Sequence, residues 1–219
     1  MSQVAPARSA NVTWHAGALT RERRWEKLGG QGATLWFTGL PSSGKSTIAA
    51  ALEARLVEEG RPAYLLDGDN LRHGLNGNLG FDAADRAENV RRTAHVARVL
   101  ADAGIVALVS LVSPYRVDRA GARAIHAQAG LSFLEVFVNT PLEECERRDP
   151  KGLYARARRG EIRGMTGVDD PYEAPLEPDL ELRGDTTSLT GALDAVLAAL
   201  AHRSEPVRST GLVSSSTSG

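Results

Sequence analysis

Cysteine is nearly absent from this chain of 219 residues, which contains only Cys145. An intrachain disulfide is therefore impossible, and a reducing, cytoplasmic compartment is expected. The neighbouring Glu143, Glu144 and Glu146 would raise the pKa of the thiol, which makes a nucleophilic role unfavourable. We therefore expect Cys145 to pack inside the fold.

A strong net charge and a long apolar run are also missing. The chain has 26 basic and 27 acidic residues, so its overall charge gives no reason to expect a nucleic acid or a membrane as a partner. No stretch approaches the roughly 20 apolar residues of a membrane span, and the polar N-terminus lacks the apolar segment of a secretory signal. We expect a soluble protein that acts on small molecules.

Length and composition predict one domain with loose ends. A hydrophobic fraction of 42% is enough for one substantial core. Residues 1–30 are polar and end in two glycines, so we expect an arm outside the main fold. Residues 31–203 should form the domain. The tail 204–219 is rich in serine and threonine, and we expect it to be disordered.

Strand-like and helical patterns alternate within the domain. Predicted strands lie at 34–38, 63–66, 105–111 and 133–138, and predicted helices at 47–59, 87–103, 118–129 and 189–202. This alternation indicates a parallel sheet with right-handed crossovers, in a three-layer α/β fold. In such sheets ligands bind beyond the carboxyl ends of the strands.

The most specific motif is Gly39-Leu-Pro-Ser-Ser-Gly-Lys-Ser46, which fits G-x-x-x-x-G-K-[ST] directly after the first strand. Its glycines let the backbone curl so that N–H groups face phosphate oxygens. Lys45 can reach the β- and γ-phosphates, and the Ser46 hydroxyl can join a Mg²⁺ shell. The helix that follows adds positive potential. The predicted ATP-binding residues are Gly39, Leu40, Pro41, Ser42, Ser43, Gly44, Lys45, Ser46 and Thr47.

Polar groups follow the second predicted strand, in Asp67-Gly-Asp-Asn-Leu-Arg-His73. One of the carboxylates of Asp67 and Asp69 can orient or deprotonate an attacking hydroxyl, and the other can hold Mg²⁺ through water. Arg72 can bind an anionic substrate. The alternative is a solvated turn of Asp, Gly and Asn residues. The phosphate-binding motif at the same sheet edge favours the functional interpretation.

A third group of polar residues begins a helix after Phe81. Asp82 or Asp85 can cap this helix, and Arg86 and Asn89 are three residues apart and can face one side. If Phe81 stacks on a planar ring while the two polar side chains bind it, the substrate is an aromatic anion. Spacing alone leaves open that Phe81 is core and that Arg86 pairs with neighbouring acids.

The third predicted strand ends in Val112-Ser-Pro-Tyr-Arg116. Ser113 lies where a hydroxyl can meet phosphate, and Arg116 where a cation can meet a substrate oxyanion. Serine before proline at a strand end is also a common turn.

Basic residues are concentrated beyond the fourth predicted strand, in 149–159. Cations on a mobile segment can close over ATP and exclude water, so we predict a lid at about 149–175 that includes Lys151. Gly160, Gly164 and Gly167 provide hinges. The alternative is a solvated basic helix face.

Several separated strings together resemble the adenylyl-sulfate kinase family. They are Gly39 to Thr47, Leu66 to Leu75, Leu79-Gly-Phe81 with Asp85 to Arg92, Ser113-Pro-Tyr-Arg116, Asp149-Pro-Lys-Gly-Leu-Tyr154, Thr166-Gly167 and Pro171-Tyr-Glu-Ala-Pro175. The resemblance implies a P-loop kinase that transfers the γ-phosphoryl group of MgATP to the 3′-hydroxyl of adenosine 5′-phosphosulfate. Another small-metabolite acceptor, such as gluconate or shikimate, and a non-catalytic partner of a sulfurylase are the alternatives.

The same resemblance implies roles for individual residues. Arg72, Arg86 and Asn89 would hold the phosphosulfate and nucleoside, Phe81 would stack on adenine, and Asp69 would orient the 3′-hydroxyl. Asp67 would lie near Mg²⁺, with Lys45 and Ser46 on the nucleotide, and Lys151 would cover the site. The family also implies a phosphoserine at Ser113, a homodimer and association with ATP sulfurylase. Met165 replaces an aromatic residue common in the family, so a two-sided aromatic clamp on adenine is in doubt.

Overall fold

The computed structural model describes Val12, Thr13, His15 and residues 17–204. The start of the predicted arm, including Trp14, and the predicted tail beyond Ser204 lie outside the described residues. The strands are β1 (Ala33–Thr38), β2 (Ala63–Asp67), β3 (Val106–Ser110), β4 (Ser132–Asn139) and β5 (Leu180–Arg183). The helices are α1 (Arg21–Leu28), α2 (Lys45–Glu58), α3 (Gly68–Leu71), α4 (Ala83–Ala103), α5 (Arg116–Gln128), α6 (Leu142–Arg148), α7 (Leu153–Arg158) and α8 (Leu189–Ser204).

The strands form one parallel sheet in the order β2-β3-β1-β4-β5. Apolar residues of β1 point alternately to two cores: Leu35 and Phe37 pack with α2 and α8, whereas Trp36 packs with α4 and α5. The predicted three-layer fold and its four strands are confirmed. β5 was not predicted, because four residues with a single buried side chain, Leu182, are too short a pattern to stand out in the sequence.

The register of the sheet brings the predicted functional segments to one edge. All six residues of β1 are buried between β3 and β4. Ser110 lies opposite Phe37 of β1 on one side and opposite Asp67 of β2 on the other. The carboxyl ends of three strands are therefore level, and the segments that begin at Gly39, Gly68 and Leu111 start side by side.

Part of the predicted arm packs on the domain, which differs from our expectation. Within residues 1–30, α1 contacts the end of α4: Arg21 Nε donates to Asp102 Oδ1 at 2.8 Å, and Trp25 Nε1 donates to the Asp102 carbonyl at 3.2 Å. Arg24 Nη1 also binds the Asp102 carboxylate, at 3.1 Å. The carbonyls of a helix C-terminus lack intrahelical donors, so basic and indole side chains bind there.

Candidate active site

The phosphate loop (residues 39–46) leaves β1 in a conformation that requires glycine at its start. Gly39 has a φ of 151°, and a Cβ there would lie 2.5 Å from the Val138 carbonyl oxygen. Gly44, with a φ of 105°, caps α2, and Ser42 adopts a left-handed φ of 61°. The curled backbone is the one that the motif predicts for a phosphate cradle.

Lys45 lies across this loop. Its Nζ donates to the Leu40 carbonyl at 2.7 Å and to Ser43 Oγ at 3.3 Å. Burial lowers the pKa of Lys45 to about 8, although Asp67 and Asp69 act in the opposite direction. An ammonium group with little water around it interacts strongly with an anion placed beside it.

A hydroxyl and a carboxylate meet beside the loop. Ser46 Oγ donates to Asp67 Oδ2 at 2.8 Å and lies 3.0 Å from Ser110 Oγ. The other carboxylate oxygen of Asp67 accepts from the Asp69 backbone N–H at 2.9 Å, which caps α3. Oxygen ligands of this kind suit Mg²⁺, which binds through one or two protein groups together with substrate phosphates. The described residues include no cluster of three or more acidic, histidine or cysteine side chains fit to hold a metal. Binding of Mg²⁺ by Ser46 and Asp67 stays a prediction.

Asp69 presents its carboxylate to solvent at the same edge, with its side chain 66% exposed. It forms an ion pair with Lys151 of the lid, and the hydrogen bond to Asp69 raises the pKa of Lys151. A lid cation therefore contacts the carboxylate that the resemblance assigns to the acceptor hydroxyl.

Phe81 is an exposed aromatic ring, with 63% of its surface accessible. The guanidinium carbon of Arg72 lies 4.1 Å from the ring centroid, and Arg72 Nη1 donates to the carbonyls of Leu79 and Gly80 at 2.9 and 3.0 Å. Asp82, one of the two predicted caps, accepts from the Asp85 N–H at the start of α4. The ring is thus backed by a cation and available to a planar ligand.

Arg86 connects α4 to the lid. Its Nε donates to the Phe81 carbonyl at 2.7 Å, Nη1 to Thr166 Oγ1 at 3.0 Å and Nη2 to the Gly164 carbonyl at 2.5 Å. Asp170 lies 3.6 Å from the same guanidinium. The sequence patterns did not indicate these lid contacts, and the predicted binding of substrate by Arg86 stays a prediction.

Asn89 is buried one turn beyond Arg86. Its Oδ1 accepts a hydrogen bond from Asn76 Nδ2 at 2.6 Å, and Asn76 is fully buried. Sequence reasoning missed Asn76, because residues 74–80 are rich in glycine and asparagine and resemble an ordinary surface turn. The pair fixes the amide of Asn89 near the start of α4.

Ser113 is buried beside β1, whereas Arg116 contacts the end of the lid. Ser113 is 3% exposed, with a φ of 41°; its Oγ accepts from Trp36 Nε1 at 3.1 Å and donates to Thr38 Oγ1 at 3.0 Å. Arg116 instead holds the end of the lid, since its Nε donates to the Ala174 carbonyl at 2.7 Å. Phosphorylation of Ser113 and substrate binding by Arg116 stay predictions.

The lid (residues 149–175) has its own apolar core. Cys145, Tyr154 and Met165 are buried together, so the expected packing role of Cys145 agrees with the structure, and burial raises the pKa of its thiol. Met165 lies inside this core. Three of the lid arginines are paired with acids: Arg158 with Glu146, and Arg156 and Arg159 with Glu161.

Gly184 is a site residue that sequence reasoning missed. It directly follows β5, and a Cβ there would lie 2.0 Å from Thr140 Oγ1 and 2.9 Å from the Ser43 carbonyl oxygen. Arg148 Nη2 donates to the Gly184 carbonyl at 2.7 Å. The Gly184 backbone therefore lies directly behind the phosphate loop, but in the sequence it is only a glycine between two charged residues.

Replacing Gly184 by alanine should destabilise the protein by roughly 1–3 kcal/mol, because the added methyl group overlaps backbone and a buried side chain. The midpoint of urea unfolding measures the change. Gly121 of α5 is the matched control: nothing lies within 4 Å of its Cβ position, so Gly121→Ala should be neutral or stabilising. Equal midpoints for Gly184→Ala and the wild type would contradict the close approach.

Comparison with known proteins agrees with this geometry. The family model described as Adenylylsulphate kinase matches residues 31–183. An adenylyl-sulfate kinase of Clostridium kluyveri is 48% identical over 190 residues, which cover 87% of this chain and 94% of that protein. The bifunctional enzyme CysN/CysC of Mycobacterium tuberculosis is 55% identical over 177 residues, 81% of this chain but only 28% of that longer protein.

A solved structure is similar as well. The Mycobacterium tuberculosis APS kinase CysC, in complex with AMPPNP and APS, superposes with a TM-score of 0.76 and 56% identity over 78% of this chain and 98% of that one. The family model covers most of the chain, and the Clostridium relative is matched over nearly its whole length. The chain therefore belongs to the adenylyl-sulfate kinase family.

Proposed function

We propose that the protein transfers the γ-phosphoryl group of ATP to the 3′-hydroxyl of adenosine 5′-phosphosulfate. The 3′-oxygen forms a bond to the γ-phosphorus while the bond to the β-γ bridging oxygen breaks, which yields ADP, 3′-phosphoadenosine 5′-phosphosulfate and a proton. One observation carries the proposal: a phosphate loop with buried Lys45 lies at the same sheet edge as Asp69, with Phe81 and Arg86 close by in the chain. The related structure that holds AMPPNP and APS together supports the pair of sites.

The phosphate loop forms the ATP-binding side of the proposed site. Backbone N–H groups from Gly44 to Thr47 would face the phosphates, and Lys45 neutralises charge on the β- and γ-phosphates. Ser46 and Asp67 would hold Mg²⁺, which supplies further neutralisation of the phosphate oxygens when bound. Phosphoryl transfer depends mainly on such positioning and charge stabilisation.

Residues in and around α3 and α4 form the side of the proposed site that binds adenosine 5′-phosphosulfate. Asp69 orients the 3′-hydroxyl and accepts its proton. Adenine stacks on the exposed ring of Phe81, whose neighbours include the guanidinium carbons of Arg72, 4.1 Å from the centroid, and Arg86, 6.0 Å from it. The anionic and nucleoside groups of the acceptor are bound by four side chains, those of Arg72, Arg86, Asn89 and Arg116. Lys151 closes the site. The contacts of Arg86 with Gly164 and Thr166 support a lid that responds to the acceptor site.

ADP formation tests the proposal. Purified protein with MgATP should release ADP rapidly only when adenosine 5′-phosphosulfate is added. Release that depends on gluconate or shikimate instead would favour another acceptor. No release above background with any acceptor, despite ATP binding, would favour the non-catalytic alternative.

Replacing Phe81 by alanine should raise KM for adenosine 5′-phosphosulfate about 5- to 150-fold, because stacking of a base on an aromatic ring contributes about 1–3 kcal/mol. Steady-state kinetics at saturating ATP measure the change. Tyr64→Ala, another exposed aromatic residue, is the control and should leave KM unchanged. An unchanged KM in Phe81→Ala would indicate an acceptor without adenine.

Replacing Ser113 by alanine should slow single-turnover transfer by less than about tenfold, since the variant loses neutral hydrogen bonds worth about 0.5–1.5 kcal/mol each. The enclosed hydroxyl, bonded to Trp36 and Thr38, supports direct transfer between the two substrates. Rapid-quench measurement gives the rate. A loss of more than about a thousandfold would favour a phosphoserine intermediate at Ser113.

The proposal extends to the partners and location of the protein. The bifunctional relative, in which the matched region is a minor part of a longer chain, supports a partner enzyme for this domain. The identification of that partner as ATP sulfurylase, and a homodimer, rest on the family resemblance. A cytoplasmic location follows from the single cysteine. Within the described part of the chain, every helix is too short or too polar to cross a bilayer.

A further inference from the structure

Two hydroxyl groups that the mechanism does not use hold the back of the phosphate loop. Tyr154 of α7 is buried, and its hydroxyl donates to the Pro41 carbonyl at 3.0 Å. Thr140, directly after β4, is also buried, and its Oγ1 donates to the Ser43 carbonyl at 2.8 Å. Thr140 lies between β4 and α6, and Tyr154 lies within the lid.

The loop needs such contacts, because its own geometry is unfavourable. Between the two held carbonyls, Ser42 adopts a left-handed φ of 61°, a conformation that non-glycine residues rarely take. The carbonyl of Leu40 is bound to the Lys45 ammonium group. The Pro41 and Ser43 carbonyls are therefore held by donors from outside the loop, whereas the Leu40 carbonyl accepts from Lys45 and from the Ser43 N–H at 3.2 Å. The two outside contacts fix the peptide groups on either side of Ser42.

The buried cluster of Cys145, Tyr154 and Met165 also makes an apolar contact with the phosphate loop. The Leu40 side chain packs against the cluster of Cys145, Tyr154 and Met165, and Gly167 approaches so closely that a Cβ there would lie 2.8 Å from Leu40 Cδ2. The base of the lid and the phosphate loop are thus one packed unit.

We propose that Tyr154 and Thr140 are positioning residues for the ATP site: they preorganise residues 41–43 of the phosphate loop and so set the affinity for nucleotide. This proposal rests on the proposed function, since it takes the loop as the ATP site. Preorganisation lowers the cost of ordering a loop on binding. Neither side chain needs to touch ATP for this effect.

The test compares matched hydroxyl deletions. Tyr154→Phe and Thr140→Val should each raise KM for MgATP, and the Kd for ADP measured by calorimetry, about two- to tenfold, as expected for one lost neutral hydrogen bond. KM for the acceptor and kcat at saturating ATP should change less than about twofold, because the contacts lie on the donor side. Thr140→Ser, which keeps the donor, should restore the affinity, and Tyr64→Phe, an exposed tyrosine, should have no effect.

The outcomes are distinct. A lower thermal midpoint in Tyr154→Phe and Thr140→Val with an unchanged Kd for ADP would overturn the proposal and leave both hydroxyls purely structural. An equal rise of both KM values would also overturn it. If Tyr154→Phe does not fold, the Thr140→Val and Thr140→Ser pair decides. Wild-type protein that fails to bind ADP would refute the proposed function itself, whereas ADP binding without transfer leaves the positioning test intact.

Discussion

Replacing Asp69 by asparagine should lower kcat for transfer to adenosine 5′-phosphosulfate by about 10²–10⁴-fold, which is the usual contribution of a positioned general base. Asparagine has the shape of aspartate but cannot accept the proton of the 3′-hydroxyl. The side chain is 66% exposed, so the substitution removes no buried contact and should leave the thermal midpoint unchanged. Its ion pair with Lys151 is likewise at the surface, where such pairs contribute little to stability.

Steady-state kinetics separate this role from binding. KM for both substrates should change only a few-fold in Asp69→Asn, because a group that acts in the transition state affects kcat more than KM. Asp194→Asn is a suitable control, since Asp194 is an exposed carboxylate on α8 that binds Arg55. A kcat within about tenfold of wild type in Asp69→Asn would contradict the role of Asp69 as a base.

Replacing Lys45 by methionine should lower kcat/KM for ATP by about 10²–10³-fold, the range seen when one preorganised donor to a developing charge is removed. Methionine preserves much of the length of the side chain, so the loss reports on charge. Transfer rates at several ATP concentrations measure the effect, with Lys27→Met, an exposed lysine of α1, as the control.

Lys45→Met should lower the activity of the protein without lowering its stability. The pKa of Lys45 is lowered to about 8 by burial, so the folded protein releases this proton more readily than the unfolded chain. The buried charge therefore opposes folding below pH 8, and this cost declines as the pH rises from about 8 towards the unfolded value. Lys45→Met should not lower the free energy of unfolding at pH 7. A large drop in stability would mean that lost activity reflects misfolding.

Local patterns were sufficient for the parts of the site that lie within short stretches of chain. The phosphate motif after β1, the acidic turn after β2 and the cap at Asp82 each depend on neighbours within a few residues. Parallel topology then implied that the strand ends lie together, and the register of Ser110 with Phe37 and Asp67 agrees.

Contacts between distant segments could not be predicted in this way. Arg86 reaches Gly164 and Thr166, about 80 positions away, and Tyr154 reaches Pro41 across 113 positions. No periodicity or spacing encodes such pairs, because they depend on how the lid packs on the sheet edge. The basic lid is a related case. Its composition predicted a cationic segment but not the acidic partners, since the fold pairs Arg158 with Glu146 and two other arginines with Glu161.

The most direct test of the central claim follows the transferred phosphate. Wild-type protein is incubated with Mg²⁺, ATP labelled with ³²P at the γ-position and adenosine 5′-phosphosulfate, and the products are separated and treated with a 3′-specific phosphatase. The account predicts one labelled 3′-phosphoadenosine 5′-phosphosulfate for each ADP formed, with all label released by the phosphatase. Label that stays in ATP, or that appears only as inorganic phosphate regardless of the acceptor, would contradict it.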